Sequence, residues 1–170
     1  MNDDTSPAQA RTRIKICGLT REQDVDAAVA AGVDAIGFVR YPRSARLVSI
    51  DRAVELARRL PPFVTPVLLY VNEAPDQVEQ DMARLACAMP QFHGDETEAY
   101  CQAACGHGAR AYLRAARIPL GVEAASFDLV KYASSYQSAH AILLDALVEG
   151  FGGSGKTFNW SLLPPSVNCH

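Results

Sequence analysis

Two side chains that can transfer protons stand at the ends of apolar, strand-like segments. Cys17 ends the first such segment, and Gly18 follows it with the backbone freedom for a sharp turn. Lys15 lies on the same face of that strand, and a nearby cation favours the reactive thiolate. Asp145 ends a later apolar segment, where an isolated carboxylate is costly to bury. The pattern predicts Cys17 as a base or nucleophile and Asp145 as a catalytic group. The alternatives are a packed thiol and a turn-capping carboxylate.

Three further polar side chains are candidates for binding a ligand beside this pair. Gln91 and His93 share one face of another strand-like segment, and His93 has the same strand-end placement as Cys17. We interpret His93 as a lining residue, since a lone histidine is more often an ordinary hydrogen-bonded one. Arg46 lies in a loop and has the planar guanidinium that holds a carboxylate through two hydrogen bonds, whereas Arg43 in the same loop is interpreted as solvated.

The elements that must position these residues alternate along the chain. Strands are predicted at 13–17, 33–39, 64–71, 89–93, 109–114 and 139–145, with segments of helical periodicity between them. Such alternation is typical of a parallel sheet with crossover helices, in a doubly wound sheet or in a (β/α)₈ barrel. Polar residues collect at the carboxyl ends of the strands, and Ile14 and Ile16 form an apolar face opposite Lys15 and Cys17. This distribution favours the barrel.

Capping residues and helix breakers set the expected helix boundaries. Thr20, with a glutamine three residues later, predicts a capping box for the first helix. Ser49 begins the second helix and Pro75 the third. The fourth covers about 95–105 and ends on Gly106, and a fifth covers about 122–134.

Composition limits the class of protein. The chain has 170 residues, of which 49% are hydrophobic, and a formal net charge of −3. We expect one globular domain over residues 13–170 behind a flexible N-terminal arm, residues 1–12. No basic surface or long apolar run indicates a nucleic-acid or membrane partner, and a cytoplasmic location is expected. The five cysteines form no paired spacing, and Cys101, Cys105 and His107 lack a second ligand pair. We therefore predict no disulfide and no metal site.

Residues 150–157 match the phosphate-binding expression G-x-x-x-x-G-K-[ST] and offer a second hypothesis, a P-loop nucleotide-binding protein. Such proteins need further strands with an acidic magnesium ligand, yet only thirteen residues follow Thr157. We favour a flexible glycine-rich loop that covers an anionic ligand, with Lys156 attracting it.

Taken together, the motifs resemble one enzyme family. They lie at 15–20, 37–46, 71–72, 91–94, 144–145 and 152–160. In order and spacing they are similar to the phosphoribosylanthranilate isomerases of tryptophan biosynthesis, across almost the whole chain from Arg13. The resemblance implies a (β/α)₈ TIM barrel and an Amadori rearrangement that needs no cofactor.

The resemblance also implies a role for each candidate residue. Cys17 is the general base, Asp145 the general acid and Arg46 the anchor for the anthranilate carboxylate. The remaining substrate-binding candidates are Lys15, Gln91, His93, Gly152 and Gly153. The implied partner is a small phosphosugar substrate, and the implied assembly is a monomer or homodimer.

Members of this family continue through two more strand-helix units whose loops hold the substrate phosphate. The chain supplies about six of the eight units, so we expect open edges at the first and sixth strands. We also expect little isomerase activity from these residues alone. This leaves a third hypothesis, an inactive fragment that acts only by complementing another chain.

Overall fold

The computed structural model describes residues 11–148, 155 and 157–162. In this part of the chain six parallel strands form one sheet in sequential order. The strands are β1 Lys15–Cys17, β2 Ala35–Val39, β3 Thr65–Tyr70, β4 Met89–Phe92, β5 Leu113–Ile118 and β6 Ala141–Ala146. The helices are α1 Glu22–Ala30, α2 Ile50–Ala57, α3 Pro75–Arg84, α4 Glu98–Ala104 and α5 Leu129–Ser134, with 3₁₀ segments at Gly121–Ser126 and Trp160–Leu162.

Local capping chemistry explains where most helices begin. The Ser49 hydroxyl accepts a hydrogen bond from the Arg52 amide at 3.0 Å, and Pro75 opens α3, both as predicted. The Thr20 capping box is wrong, because α1 begins after Arg21 without a side-chain cap. Arg21 instead forms an ion pair with Asp24 in the first turn.

The fourth and fifth units differ most from prediction. The fourth helix was expected at about 95–105, but α4 begins at Glu98, where the Thr97 hydroxyl caps it. The strand expected at 109–114 lies at Leu113–Ile118, because a turn with positive φ at Gly106, His107 and Gly108 lengthens the preceding loop. The helix expected at 122–134 splits at Asp128, whose carboxylate caps α5.

Strand register separates the sheet into two chemically different faces. One face packs against the helices in an apolar core that includes Phe38, Leu68, Tyr70 and Phe92. The opposite face collects the predicted site residues. Cys17 lies beside Gly37 of β2, which lies beside Val67 of β3. Two residues further along β3, on the same face, Leu69 lies beside Gln91 of β4, so Cys17 and Gln91 share one face of the sheet. The alternation predicted for β1 is therefore present throughout the sheet.

The first and last strands are open edges in the described part of the chain. There β1 pairs only with β2, and β6 pairs only with β5. Ile14 and Ile16, which form the apolar face of β1, are 46% and 37% exposed. This arrangement is the one expected from six of the eight units of a barrel. No helix within residues 11–148 or 155–162, as far as these are described, is long and apolar enough to span a bilayer.

Ion pairs attach the first described residues of the chain to the sheet. Residues 1–10, most of the predicted arm, lie outside the described residues. Arg11 and Arg13 both pair with Asp34, which precedes β2. These hydrogen bonds, with one from the Ile14 amide, hold the pKa of Asp34 well below its usual range.

A buried ion pair fixes the loop that leaves β4. Arg114 is 3% exposed and donates to the carbonyl oxygens of Phe92 and Gly94, both at 2.9 Å. It also donates to the Glu96 carboxylate at 3.1 Å, and its guanidinium lies 4.9 Å from the ring centre of Tyr136. Glu96 in turn accepts the Gly94 amide at 2.9 Å. The backbone on both sides of His93 is thereby held in one conformation.

We predict that Arg114→Ala lowers the free energy of unfolding by about 3 kcal/mol or more, because it leaves the buried Glu96 carboxylate without its cation. Denaturant unfolding followed by circular dichroism measures the change. Arg84→Ala, which breaks an exposed ion pair with Asp51, serves as the control and should leave the midpoint unchanged. Equal midpoints for the two variants would contradict the structural role of the buried pair.

Candidate active site

A cavity of about 230 Å³ lies on the inner face of the sheet, at the carboxyl ends of its strands. Its lining includes six of the eight predicted site residues, namely Lys15, Cys17, Arg46, Gln91, His93 and Asp145. Residues of β1 and β6, the two edge strands, meet in this one cavity. The sheet is therefore strongly curled, as in a barrel wall. Gly152 and Gly153 lie outside the described residues.

Two glycines make room for the thiol of Cys17. The Gly18 amide donates to the Gly37 carbonyl at 2.8 Å, and Gly18 has a positive φ that turns the chain away from β1. Gly37 lies beside Cys17 in the register of β2, where a Cβ atom would stand only 2.6 Å from the Cys17 sulfur. Any side chain at position 37 would displace the thiol. Residue spacing gave no reason to single out Gly37.

Arg46 reaches back to the end of β1 from the loop after β2. Its Nη1 donates to the carbonyl oxygen of Cys17 at 3.0 Å, and its side chain packs over Gly18. The Arg46 amide donates to the Ser44 hydroxyl at 3.1 Å, which stabilises the turn. Arg43 does not line the cavity.

A second ion pair anchors the loop that carries Arg46. Arg40, directly after β2, donates to the Val48 carbonyl at 2.6 Å and to the Asp81 carboxylate at 2.8 Å. Asp81 is buried in α3 and also accepts hydrogen bonds from Tyr70 and Gln77. Both ends of the loop are therefore fixed to the barrel wall, which limits where Arg46 can lie.

Gln91, His93 and Asp145 form a continuous hydrogen-bonded chain across the cavity. The Gln91 Nε2 lies 3.0 Å from His93 Nδ1, and His93 Nε2 lies 2.9 Å from Asp145 Oδ2. The other carboxylate oxygen of Asp145 accepts the Ala146 amide at 2.9 Å. Burial lowers the pKa of His93, although the hydrogen bond and charge of Asp145 oppose the shift. The lowered pKa favours the uncharged imidazole over the charged form.

Arg117 is a charged residue of this region that the sequence analysis missed. It lies beside Asp145 in the register of β5 and β6, and its Nη2 donates to the Val148 carbonyl at 2.9 Å. Its positive charge is one of the influences that lower the pKa of His93. The predicted strand 109–114 stopped short of residue 117. Correct placement of β5 would have put Arg117 on the inner face.

Charge and shape suit the cavity to an anionic ligand. Of the described residues that line it, Lys15 and Arg46 are cations and Asp145 is the one carboxylate. Leu69 and Leu143 supply an apolar wall. Within the described part of the chain, no group of three or more histidine, cysteine or acidic side chains could hold a metal ion. Cys101 and Cys105 are buried in the helical layer.

Comparison with known proteins gives one consistent family. The sequence profile of N-(5'phosphoribosyl)anthranilate (PRA) isomerase matches residues 14–169. Among curated proteins, the N-(5'-phosphoribosyl)anthranilate isomerase of Leptothrix cholodnii is 61% identical, over 93% of this chain and 68% of its own length. The enzyme of the same name from Methylibium petroleiphilum is 59% identical, over 92% of this chain and 70% of its own length.

Solved structures agree with this assignment. Phosphoribosyl anthranilate isomerase from Thermotoga maritima has a TM-score of 0.74 at 35% identity and covers 89% of this chain and 70% of its own. A phosphoribosyl anthranilate isomerase in complex with reduced 1-(o-carboxyphenylamino)-1-deoxyribulose 5-phosphate has a TM-score of 0.68 at 31% identity, over 81% of this chain and 66% of its own. The six-stranded wall is therefore that of a TIM barrel, and the chain belongs to the N-(5'-phosphoribosyl)anthranilate isomerase family.

Proposed function

We propose that this protein converts N-(5-phosphoribosyl)anthranilate to 1-(2-carboxyphenylamino)-1-deoxyribulose 5-phosphate in tryptophan biosynthesis. Cys17 is the general base and Asp145 the general acid. The observation that carries the proposal is that these two residues, from opposite edge strands, line the same cavity as Arg46. The assignment of the chain to the isomerase family supplies the substrate class.

The first step is opening of the furanose ring. Asp145, as the carboxylic acid, donates its proton to the ring oxygen while the bond from that oxygen to C1′ breaks. The lone pair of the anthranilate nitrogen forms the C=N bond of a protonated Schiff base. Asp145 becomes a carboxylate that accepts hydrogen bonds from His93 and from the Ala146 amide. Proton transfer by a positioned side chain contributes about 10²- to 10⁴-fold to the rate.

The second step is removal of the proton from C2′. Cys17 accepts it as a thiolate, and the electron pair of the C–H bond moves toward the Schiff-base nitrogen to give an enolamine. Tautomerisation of the enolamine then gives the ketone. Lys15 lines the same cavity as Cys17 and supplies positive charge there. The thiol also needs freedom from steric pressure, and Gly37 provides it.

We assign binding of the substrate to the cationic and polar residues that line the cavity. Arg46 is exposed enough to receive the anthranilate carboxylate, and its loop is fixed at both ends. We assign Lys15 and His93 to the sugar side of the substrate, because they lie on β1 and directly after β4 rather than in the loop of Arg46. Gln91, predicted as a substrate contact, is 1% exposed and contacts His93, so we assign it a supporting role. Gly152 and Gly153 remain proposed substrate contacts. We further propose a cytoplasmic enzyme that works as a monomer or homodimer.

The two alternatives draw no support from the described residues. Most of the segment that matches the P-loop expression, residues 150–154 and 156, lies outside them. The same segment falls within the span matched by the isomerase profile. Assays of magnesium-dependent ATP binding, and of isomerase activity with and without an added barrel-completing chain, test these alternatives directly.

We predict that Cys17→Ser lowers kcat by at least about 10²-fold with little change in KM, because a hydroxyl is a far weaker acid than a thiol and is not ionised near neutral pH. Steady-state isomerase kinetics measure both constants. Cys87→Ser, an exposed control with the same chemical change, should behave like the unsubstituted chain. A kcat for Cys17→Ser within about threefold of the parent, under about 0.7 kcal/mol in barrier height, would reduce Cys17 to a packing residue.

For the acid, Asp145→Asn is expected to lower kcat by a similar factor. The amide keeps the shape of the side chain, but its N–H protons are not acidic enough to be transferred to the ring oxygen. The same assay applies, with Asp76→Asn on the exposed surface of α3 as the control for loss of one negative charge. If Asp145→Asn retained most of the parental kcat, another acid would have to be sought.

Arg46→Ala should act mainly on KM. It removes a carboxylate contact made equally in the ground state and the transition state, so we expect KM to rise about tenfold or more and kcat to change little. Arg43→Ala, in the same loop but outside the cavity lining, is the matched control. An unchanged KM for Arg46→Ala, or equal effects of the two variants, would exclude Arg46 as the anchor.

A further inference from the structure

Gln91 is placed to control the protonation pattern of the site without touching the reacting atoms. Its side chain is 1% exposed, and its Nε2 lies 3.0 Å from His93 Nδ1. An amide nitrogen only donates hydrogen bonds, so with the Gln91 amide in this orientation Nδ1 is the acceptor and carries no proton, while Gln91 Oε1 is buried without a hydrogen-bond partner. A neutral imidazole has one ring proton, which is then on Nε2 and faces Asp145 at 2.9 Å.

The surroundings of His93 keep the ring neutral. The residue is buried directly after β4, and the charged groups that face it come from three other strands. They are Lys15 on β1, Arg117 on β5 and Asp145 on β6. Burial and the two cations disfavour a positive ring, and only Asp145 favours one. With the ring neutral, the choice between its two tautomers is made by the partner of Nδ1.

We propose that Gln91 is a positioning residue that locks His93 in the Nε2–H tautomer, so that His93 donates to Asp145 and leaves the proton of the acid to the substrate. The inference rests on the proposed function of Asp145. With Nε2 already protonated, neutral His93 has no lone pair there to accept the Asp145 proton. The opposite tautomer would present a bare Nε2 and compete with the ring oxygen of the substrate.

The Nε2–H tautomer of His93 also stabilises the Asp145 carboxylate that forms when the acid has given up its proton. When Asp145 gives its proton to the ring oxygen, the negative charge left on the carboxylate is shared by two oxygens. The His93 Nε2–H donates to Oδ2, and the Ala146 amide donates to Oδ1. His93 neither gains nor loses a proton in this step. It stabilises the carboxylate that waits beside the Schiff base while Cys17 removes the C2′ proton.

The tautomer itself is measurable without activity. In a ¹⁵N-labelled full chain near neutral pH, nitrogen chemical shifts distinguish a protonated ring nitrogen from a bare one, and His93→Gln identifies the signals of His93. We expect Nε2 protonated and Nδ1 bare in the unsubstituted chain. Finding the proton on Nδ1 would overturn the proposal, whatever the kinetics show.

Gln91→Glu tests the consequence for catalysis. The isosteric carboxylate can only accept from Nδ1, so that nitrogen gains a proton and Nε2 becomes free to capture the proton of Asp145. We expect both ring nitrogens to be protonated, kcat to fall at least about tenfold and KM to stay within about threefold. Gln23→Glu, an exposed substitution with the same change of charge, is the control and should change neither readout.

Gln91→Met separates this role from packing. It removes the donor without adding an acceptor, so we expect it to keep more of the kcat than Gln91→Glu. A purely steric role predicts the reverse order, because glutamate has the shape of glutamine and methionine does not. That reverse order, or a parental kcat for Gln91→Glu, would overturn the proposal. An unsubstituted chain that shows the expected nitrogen shifts but stays inactive even with a barrel-completing chain added would count against the proposed isomerase function and leave the tautomer assignment standing.

Discussion

The parallel register of the six strands is the constraint on which the rest of the site depends. In parallel strands successive side chains alternate between two faces, and all carboxyl ends lie at one edge of the sheet. Cys17 and Asp145, 128 positions apart in the sequence, reach the same cavity because the register carries one face unbroken from β1 to β6. A slip of one residue at any strand pair would send the following site side chains into the helical layer.

The inner face of the sheet is closely packed. At two positions it therefore requires glycine, because a side chain there would collide with a neighbouring residue. Gly37 leaves space for the Cys17 sulfur, and Gly18 leaves space for the Arg46 guanidinium. These glycines do no chemistry, yet they set the position of the groups that do. Cys17, the proposed base, and Arg46, the proposed carboxylate anchor, are thus adjacent at the end of β1, where Arg46 donates to the Cys17 carbonyl.

Buried charge on the helical side of the sheet supports the chemistry on the inner side. Arg114 and Glu96 hold the backbone around His93, and Arg40 and Asp81 hold the loop that carries Arg46. Neither pair lines the cavity. Each ion pair holds a segment at a strand end in one conformation, because a buried charge is stable only with its partner and its hydrogen bonds in place. The placement of His93, which contacts the proposed acid Asp145, and of Arg46, the proposed anchor, depends on these pairs.

The sequence by itself determined the alternation of strands and helices, the inner face of β1 and the identity of six residues that line one cavity. It could do so because residue type, and the period of two with which side chains alternate along a strand, are local properties. It also determined membership of the isomerase family through the order of its motifs. It misplaced β5 and therefore missed Arg117, because the turn with positive φ at residues 106–108 lengthens the loop and the strand begins only at Leu113. Only the tertiary structure showed what the two arginines of this strand contact, with Arg114 paired with Glu96 and Arg117 beside Asp145. Only the tertiary structure, likewise, joined Gln91, His93 and Asp145 into one hydrogen-bonded chain. The geometry of such a chain depends on the distances between strands, which no single segment encodes.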